Sequence, residues 1–238
     1  VTSDAFVFDA YGTLFDVHSL TALAETLAPG QGHTLSQTWR TKQLEYTWLA
    51  SLMNPPADAA RAAATTAPTR AREDFGRITA HALDYAVSAL IAPIDAQGRQ
   101  RLLDAYLALA PYADAARALQ RLAPRPRWIL SNGTRAMLEP LVQSSGLAPL
   151  IDGVLSVDAA DVYKPSPRVY QLAVDALRMP AERIAFVSAN GWDAAGAKAV
   201  GFTTFWINRT GLPVERHAPE PDYIVASLSD VAMIASSS

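Results

Sequence analysis

The 238-residue chain contains no cysteine, which excludes disulfides, thiolate catalysis and zinc sites built on thiolates. Histidine is scarce as well. His18, His33, His81 and His217 stand too far apart in sequence to form a ligand pair, so no metal site is expected. Lys and Arg form no run and the net charge is −3, which argues against nucleic acid or a membrane surface as a partner. No apolar segment approaches the roughly 20 residues needed to span a bilayer. The first residues also lack the basic-then-apolar pattern of a leader, and a cytoplasmic protein is the expectation. G-x-S-x-G and G-x-x-x-x-G-K-[ST] are missing, and "GQGHTL" (Gly30–Leu35) lacks the third glycine of a dinucleotide loop.

What is present is hydrophobic. Half the chain is apolar and only 18% is charged, which supplies a sizeable core and excludes global disorder. Short apolar runs read as buried strands at Ala5–Phe8, Arg127–Leu130, Gly153–Val157, Ile184–Val187, Thr203–Ile207 and Tyr223–Ala226. Helix-length segments such as Pro167–Leu177 and Trp192–Val200 separate most of them. Buried strands alternating with helices predict an α/β fold, a Rossmann-like parallel sheet covered on both faces.

The interval between the first and second runs is helical in pattern: Leu20–Leu27, Gln37–Met53, Arg72–Leu90 and Arg101–Leu119. Trp39, Leu44, Trp48, Leu49 and Leu52 form an amphipathic stripe. The interval therefore predicts a helical cap inserted after the first strand, its last helix returning to the core. The low-complexity stretch "NPPADAARAAATTAPTRAR" (Asn54–Arg72) reads as either a polar helix or a loop.

Ligands of an open parallel sheet bind beyond the carboxyl ends of its strands. The residues following the runs are Asp9–Thr13, Ser131-Asn132-Gly133, Val162-Tyr163-Lys164-Pro165 and Ser188-Ala189-Asn190-Gly191-Trp192-Asp193. Each has an ordinary explanation alone: an Asp in a turn, an Asn-Gly turn, a surface lysine, an acidic residue in a first helical turn. Their common edge is the argument. A buried, unpaired Asp9 would cost several kcal/mol or be driven neutral, so either it caps a turn or a cation elsewhere in the chain keeps it charged.

"DAYGTLFD", "LSNG", "YKPSPRVY" and "FVSANGWDAAGAK" occur in the order and at the strand ends of the haloacid dehalogenase superfamily. The sequence most resembles the L-2-haloacid dehalogenases within it, and "WRTKQLEYTWLASLMN" (Trp39–Asn54) resembles their substrate-facing cap helix. The resemblance implies a catalytic core of residues 1–16 and 110–238 with a cap of residues 17–109. It departs from the phosphatases of the superfamily at two places. Tyr11 stands where a second Asp would protonate the leaving group, and Ser188-Ala189 replaces the Gly-Asp before the metal-binding acid. A halide leaves as an anion and needs no proton, so these losses disqualify a phosphatase but not a dehalogenase.

The resemblance then implies Asp9 as nucleophile and Asp193 as the group positioning or deprotonating the hydrolytic water. Lys164 balances their charge without a metal or other cofactor. Thr13, Ser188 and Asn190 orient these groups, and Tyr170 matches a family active-site position. Arg40 receives the departing halide, assisted by Asn132; otherwise it would be a surface arginine paired with Glu45. Ser131 and backbone N–H groups at a helix start hold the substrate carboxylate. Tyr11, Leu44, Phe75 and Trp192 are pocket walls or, equally well, core. The implied partners are a short halogenated carboxylate of L configuration, a halide ion and a second copy of the chain in a homodimer. Ring opening of azetidine-2-carboxylate, fluoroacetate hydrolysis, a phosphatase and an idle anion binder are the alternatives. An Asp9→Asn variant that lost turnover would set an enzyme apart from the binder.

Overall fold

The computed structural model describes residues 3–53, 72–216 and 218–236. Six parallel strands form one sheet: β1 (Ala5–Phe8), β2 (Arg127–Ser131), β3 (Gly153–Ser156), β4 (Ile184–Ser188), β5 (Thr203–Ile207) and β6 (Tyr223–Val225). Their order is β3-β2-β1-β4-β5-β6, with Phe8 in register with Ile129 on one side and Val187 on the other. All of β1 and β4 is buried, which is why these strands are unbroken apolar runs without alternation. Each strand expected from the sequence is found, with ends shifted by at most one residue.

Between β1 and β2 lie α1 (Thr21–Leu27), α2 (Gly32–Met53), α3 (Phe75–Ala89), α4 (Ala96–Tyr106) and α5 (Ala115–Leu122). The remaining helices alternate with strands: α6 (Arg135–Ser144), α7 (Pro167–Leu177), α8 (Gly191–Val200) and α9 (Leu228–Ser236). Helix α2 packs against α1 and α3, α8 against β4 and β5, and α5 returns to the sheet layer beside α9. Side-chain caps set several starts: Asp74 accepts from Arg77 N–H, Asp95 from Gly98 N–H and Thr134 from Met137 N–H. Among the described residues, no helix is long and apolar enough to cross a membrane. The stretch from Asn54 to Ala71, read above as helix or loop, lies outside the described residues.

Two expectations are corrected. The single helix expected over Arg101–Leu119 is split into α4 and α5. Pro111 lies between them, where Tyr112 N–H donates to Leu14 O and Asp16 N–H to Ala110 O, both at 2.9 Å. That extended pairing with the turn after β1 is incompatible with helix, and proline lacks the N–H a helix interior needs. The stripe on α2 also differs. Its buried face runs through Leu35, Ser36, Trp39, Gln43 and Thr47, whereas Leu49 and Leu52 are exposed. The buried polar groups at Gln43 and Thr47 are hydrogen-bonded, so the helix buries them where an apolar count places solvent.

Candidate active site

The sheet order reverses direction between β1 and β4, opening a crevice at their carboxyl ends. Asp9 is the first residue past β1, and its N–H donates to Val187 O at 2.9 Å. The chain then turns sharply: Thr13, Leu14 and Phe15 N–H all point to Ala10 O, and Gly12 sits at φ +89°, a conformation that favours glycine. The turn brings Thr13 back under Asp9. Arg209, stacked 3.9 Å from the Tyr112 ring, secures it by donating to Thr13 O at 3.1 Å.

Three donors converge on the Asp9 carboxylate. Lys164 Nζ lies 3.1 Å from Oδ1, and Thr13 Oγ1 and Asn190 Nδ2 lie 3.1 and 2.9 Å from Oδ2. The same Lys164 Nζ is 2.9 Å from Asp193 Oδ2, so one buried ammonium bridges two buried carboxylates. Burial alone would lower the Lys164 pKa, but the charges of Asp193 and Asp9 outweigh it and hold it above the ordinary lysine value. Burial raises the Asp193 carboxyl, and Asp9 adds to that rise, while Lys164 and the Tyr170 hydroxyl oppose it. Tyr170 donates to Asp193 Oδ1 at 2.8 Å. Burial, reinforced by the Asp193 charge, pushes the phenol well above the ordinary tyrosine value and keeps it a neutral donor. Ala189 N–H donates to Thr13 Oγ1 at 2.8 Å and Asn190 N–H to Ser188 Oγ at 3.1 Å, so Thr13 and Ser188 set the loop that carries Asn190.

Above these groups is a cavity of about 240 Å³, its mouth included, lined by Asp9, Tyr11, Arg40, Leu44, Phe75, Asn132, Lys164, Asn190 and Trp192. Tyr11, Leu44, Phe75 and Trp192 are therefore walls, and Tyr11 and Phe75 are core residues as well, stacked with centroids 5.5 Å apart. The Tyr11 hydroxyl is buried without a hydrogen-bond partner among the described residues. Arg40 turns inward to Gln43, while Glu45 pairs with Lys42 at 2.8 Å, so the surface reading of Arg40 does not hold. Asn132 Oδ1 accepts Lys164 N–H at 3.1 Å, which leaves its amide nitrogen for the cavity. Ser131, Thr13, Ser188, Tyr170 and Asp193 stand behind the wall. Ser131 Oγ accepts from Gly133 N–H at 3.2 Å, which occupies one of the backbone amides expected to hold a carboxylate.

Sequence reasoning missed Gln43, Thr79, Tyr106 and Arg209. Gln43 had a local signal, since it stands three residues after Arg40 on one helix and shares its face. The other three come from distant segments and had none.

The haloacid dehalogenase-like hydrolase profile matches residues 3–201. An (S)-2-haloacid dehalogenase of Pseudomonas sp. (strain YL) is 43% identical over 226 residues, covering 94% of this chain and 90% of the relative. The chain belongs to the haloacid dehalogenase-like hydrolase family. The fold agrees: the crystal structure of the L-2-haloacid dehalogenase RSc1362 superposes with a TM-score of 0.90 at 41% identity, over 99% of this chain and 100% of that one. That of the L-2-haloacid dehalogenase from Xanthobacter autotrophicus with chloropropionic acid covalently bound has a TM-score of 0.85 at 37% identity, over 98% of each chain.

The phosphatase pattern of the wider superfamily would place a divalent cation between carboxylates. Here the ammonium of Lys164 bridges the carboxylates of Asp9 and Asp193, and Ala189 and Tyr11 offer no carboxylate. Among the described residues, no group of three or more His, Asp or Glu could hold a metal ion. The residues present do not fit such a cation.

Proposed function

We propose that the protein hydrolyses short L-2-haloalkanoic acids to 2-hydroxy acids, with Asp9 as nucleophile. The observation that carries this reading is Lys164 bridging Asp9 and Asp193 under a small, largely apolar cavity that opens to Arg40. The relatives named as (S)-2-haloacid dehalogenases support it.

Asp9 Oδ1 has one donor and Oδ2 has two, so Oδ1 keeps the freer lone pair and is the attacking oxygen. It displaces the halide from C2 in line, with inversion; the C–halogen pair leaves with the halide, which Arg40 and the Asn132 amide receive. Oδ2 becomes the ester carbonyl, already aimed at by Thr13 Oγ1 and Asn190 Nδ2. Water then adds to the Asp9 carboxyl carbon and gives its proton to Asp193. The two donors hold the oxyanion; on collapse Asp193 returns its proton to the departing C2 oxygen, releasing the 2-hydroxy acid, and the proton of the added hydroxyl is lost to solvent, restoring the Asp9 carboxylate. A carboxyl raised by burial makes Asp193 a better proton acceptor than an exposed aspartate. Backbone N–H groups of the Asn132 loop at the start of α6 take the substrate carboxylate, and Ser131, behind the wall, fixes that loop by accepting from Gly133 N–H.

This reading divides the chain into a core of residues 1–16 and 110–238 and a cap of residues 17–109 that supplies Arg40, Leu44 and Phe75. It also makes the exposed Leu49, Leu52 and Met53 of α2 the face of a homodimer, which light scattering of the purified chain tests.

The deciding experiment measures halide release from both enantiomers of 2-chloropropionate, with and without EDTA, beside Asp9→Asn. Release from the L enantiomer alone, indifferent to EDTA and lost in the variant, is expected. No release from either enantiomer overturns the reading.

A further inference from the structure

We propose that Gln43 is a positioning residue that holds the Arg40 guanidinium where the halide leaves. The proposal deepens, and rests on, the reading of Arg40 as halide acceptor.

Gln43 is 1% exposed, and a buried primary amide is costly unless both its ends are bonded. Both are. Its Oε1 accepts from Arg40 Nη1 at 2.7 Å and from the Tyr106 hydroxyl at 3.2 Å, and its Nε2 donates to Thr79 Oγ1 at 2.7 Å. Thr79 in turn donates its only hydrogen to Phe75 O at 2.6 Å. That commitment fixes the sense of the chain. Thr79 can only accept from Gln43, so the amide nitrogen must face Thr79 and the amide oxygen must face Arg40. Tyr106, its pKa raised chiefly by burial, stays a neutral donor to the same oxygen. The relay thus ties Arg40 on α2 to the first turn of α3, where Phe75 lines the reaction cavity.

Apart from Gln43, Arg40 faces the Tyr106 hydroxyl and a backbone carbonyl. Its Nη2 reaches Tyr11 O at 3.4 Å, and it has no carboxylate partner among the described residues. A second, shallow hollow of about 220 Å³, its mouth included, whose lining includes Trp39, Arg40, Gln43 and Tyr106, lies on the other side of the same side chain. A neutral acceptor is also the right chemistry here: it orients the cation while leaving its whole charge for an anion, whereas a carboxylate would neutralise it.

The test is a double-mutant cycle of Gln43→Met, which keeps length and loses the amide, against Arg40→Ala. It reads kcat on L-2-bromopropionate and L-2-chloropropionate, together with inhibition by free chloride. A hydrogen bond to a charged group supports an expected loss of about 10- to 100-fold in kcat for Gln43→Met. The loss should be larger for the chloro substrate, whose leaving group needs more help, and chloride inhibition should weaken. In the Arg40→Ala background the same change should cost less than about twofold. Equal losses in both backgrounds mark a purely structural role and overturn the proposal, as does full kcat in Gln43→Met. Full kcat in Arg40→Ala overturns the halide reading itself, and the proposal with it. Should Gln43→Met not fold, Thr79→Val removes only the anchor of the amide nitrogen. It must give a several-fold loss with the same dependence on Arg40, and no loss there overturns the proposal.

Discussion

Replacing Lys164 by Met removes the cation between Asp9 and Asp193 while nearly conserving side-chain length. Asp9 Oδ1 and Asp193 Oδ2 lie 3.1 and 2.9 Å from its Nζ, so they are at most about 6 Å from each other. Two negative charges about 6 Å apart at an effective dielectric near 20 repel by roughly 3 kcal/mol, or about two pKa units. Loss of the attraction to the ammonium acts in the same direction, and burial already raises Asp193. The pair in the variant therefore retains one proton at neutral pH and titrates in two separated steps. With Asp9 protonated there is no attack, and with Asp193 protonated there is no base for the water. Halide release at neutral pH should fall at least about 100-fold and should recover about tenfold per pH unit as the solution is made alkaline. The assay is initial halide release across mildly acidic to alkaline pH, with thermal unfolding recorded at each point so that rates are compared on folded protein. An acid limb that coincides with that of the unaltered enzyme would refute the charge-balancing argument.

Three further outcomes follow from the same geometry. Tyr170→Phe removes the 2.8 Å hydrogen bond to Asp193 Oδ1, which helps keep that carboxyl ionised; kcat should drop about 10- to 100-fold and the acid limb of the pH–rate profile should move up. A drop in kcat with an unmoved limb would deny the link to Asp193. Gly196→Ala places a methyl 2.5 Å from the Tyr170 hydroxyl and 2.7 Å from Pro165 Cβ, so the ~1 kcal/mol gain in helix propensity should be outweighed by crowding of about 1–3 kcal/mol. Chemical denaturation checks the sign, and a more stable variant would contradict it. Lys164 has a folded pKa above the ordinary 10.5. Its ion pairs therefore stabilise the fold fully below that value and are lost as pH rises through the folded pKa. The unfolding midpoint should fall in that alkaline window, and Lys164→Met should lack this component of the fall.

The sheet and the charged centre were legible in the sequence for one physical reason. A strand buried on both faces must be a continuous apolar run, and the polar residues following four of these runs must share an edge. That logic found β1 to β6 to within a residue and put Asp9, Lys164, Asn190 and Asp193 in one hydrogen-bonded group. It also offered two roles for Asp9, a turn cap or a carboxylate held charged by a cation, and the structure shows the second in Lys164.

The logic stopped at α2, where a count of apolar residues assigned Leu49 and Leu52 to the buried side and passed over Gln43 and Thr47. A helix buries a polar residue only where its partners are supplied, and Thr47 finds its own in Leu44 O of the same helix. For Gln43 these come from Thr79 on α3 and Tyr106 on α4, 36 and 63 residues away. No local window contains that information. What a local window does contain is the spacing of Arg40 and Gln43, three residues apart on a helix whose neighbours Lys42 and Glu45 satisfy one another at the surface. With the acidic side chain of the next helical turn taken by a lysine, Arg40 turns toward the core and finds a neutral acceptor there. The amide at Gln43 is the side chain on the same face that can provide it. The pairing of charges on the outside of α2 thus frees Arg40 for the inside, and the two faces of one helix turn have to be read together.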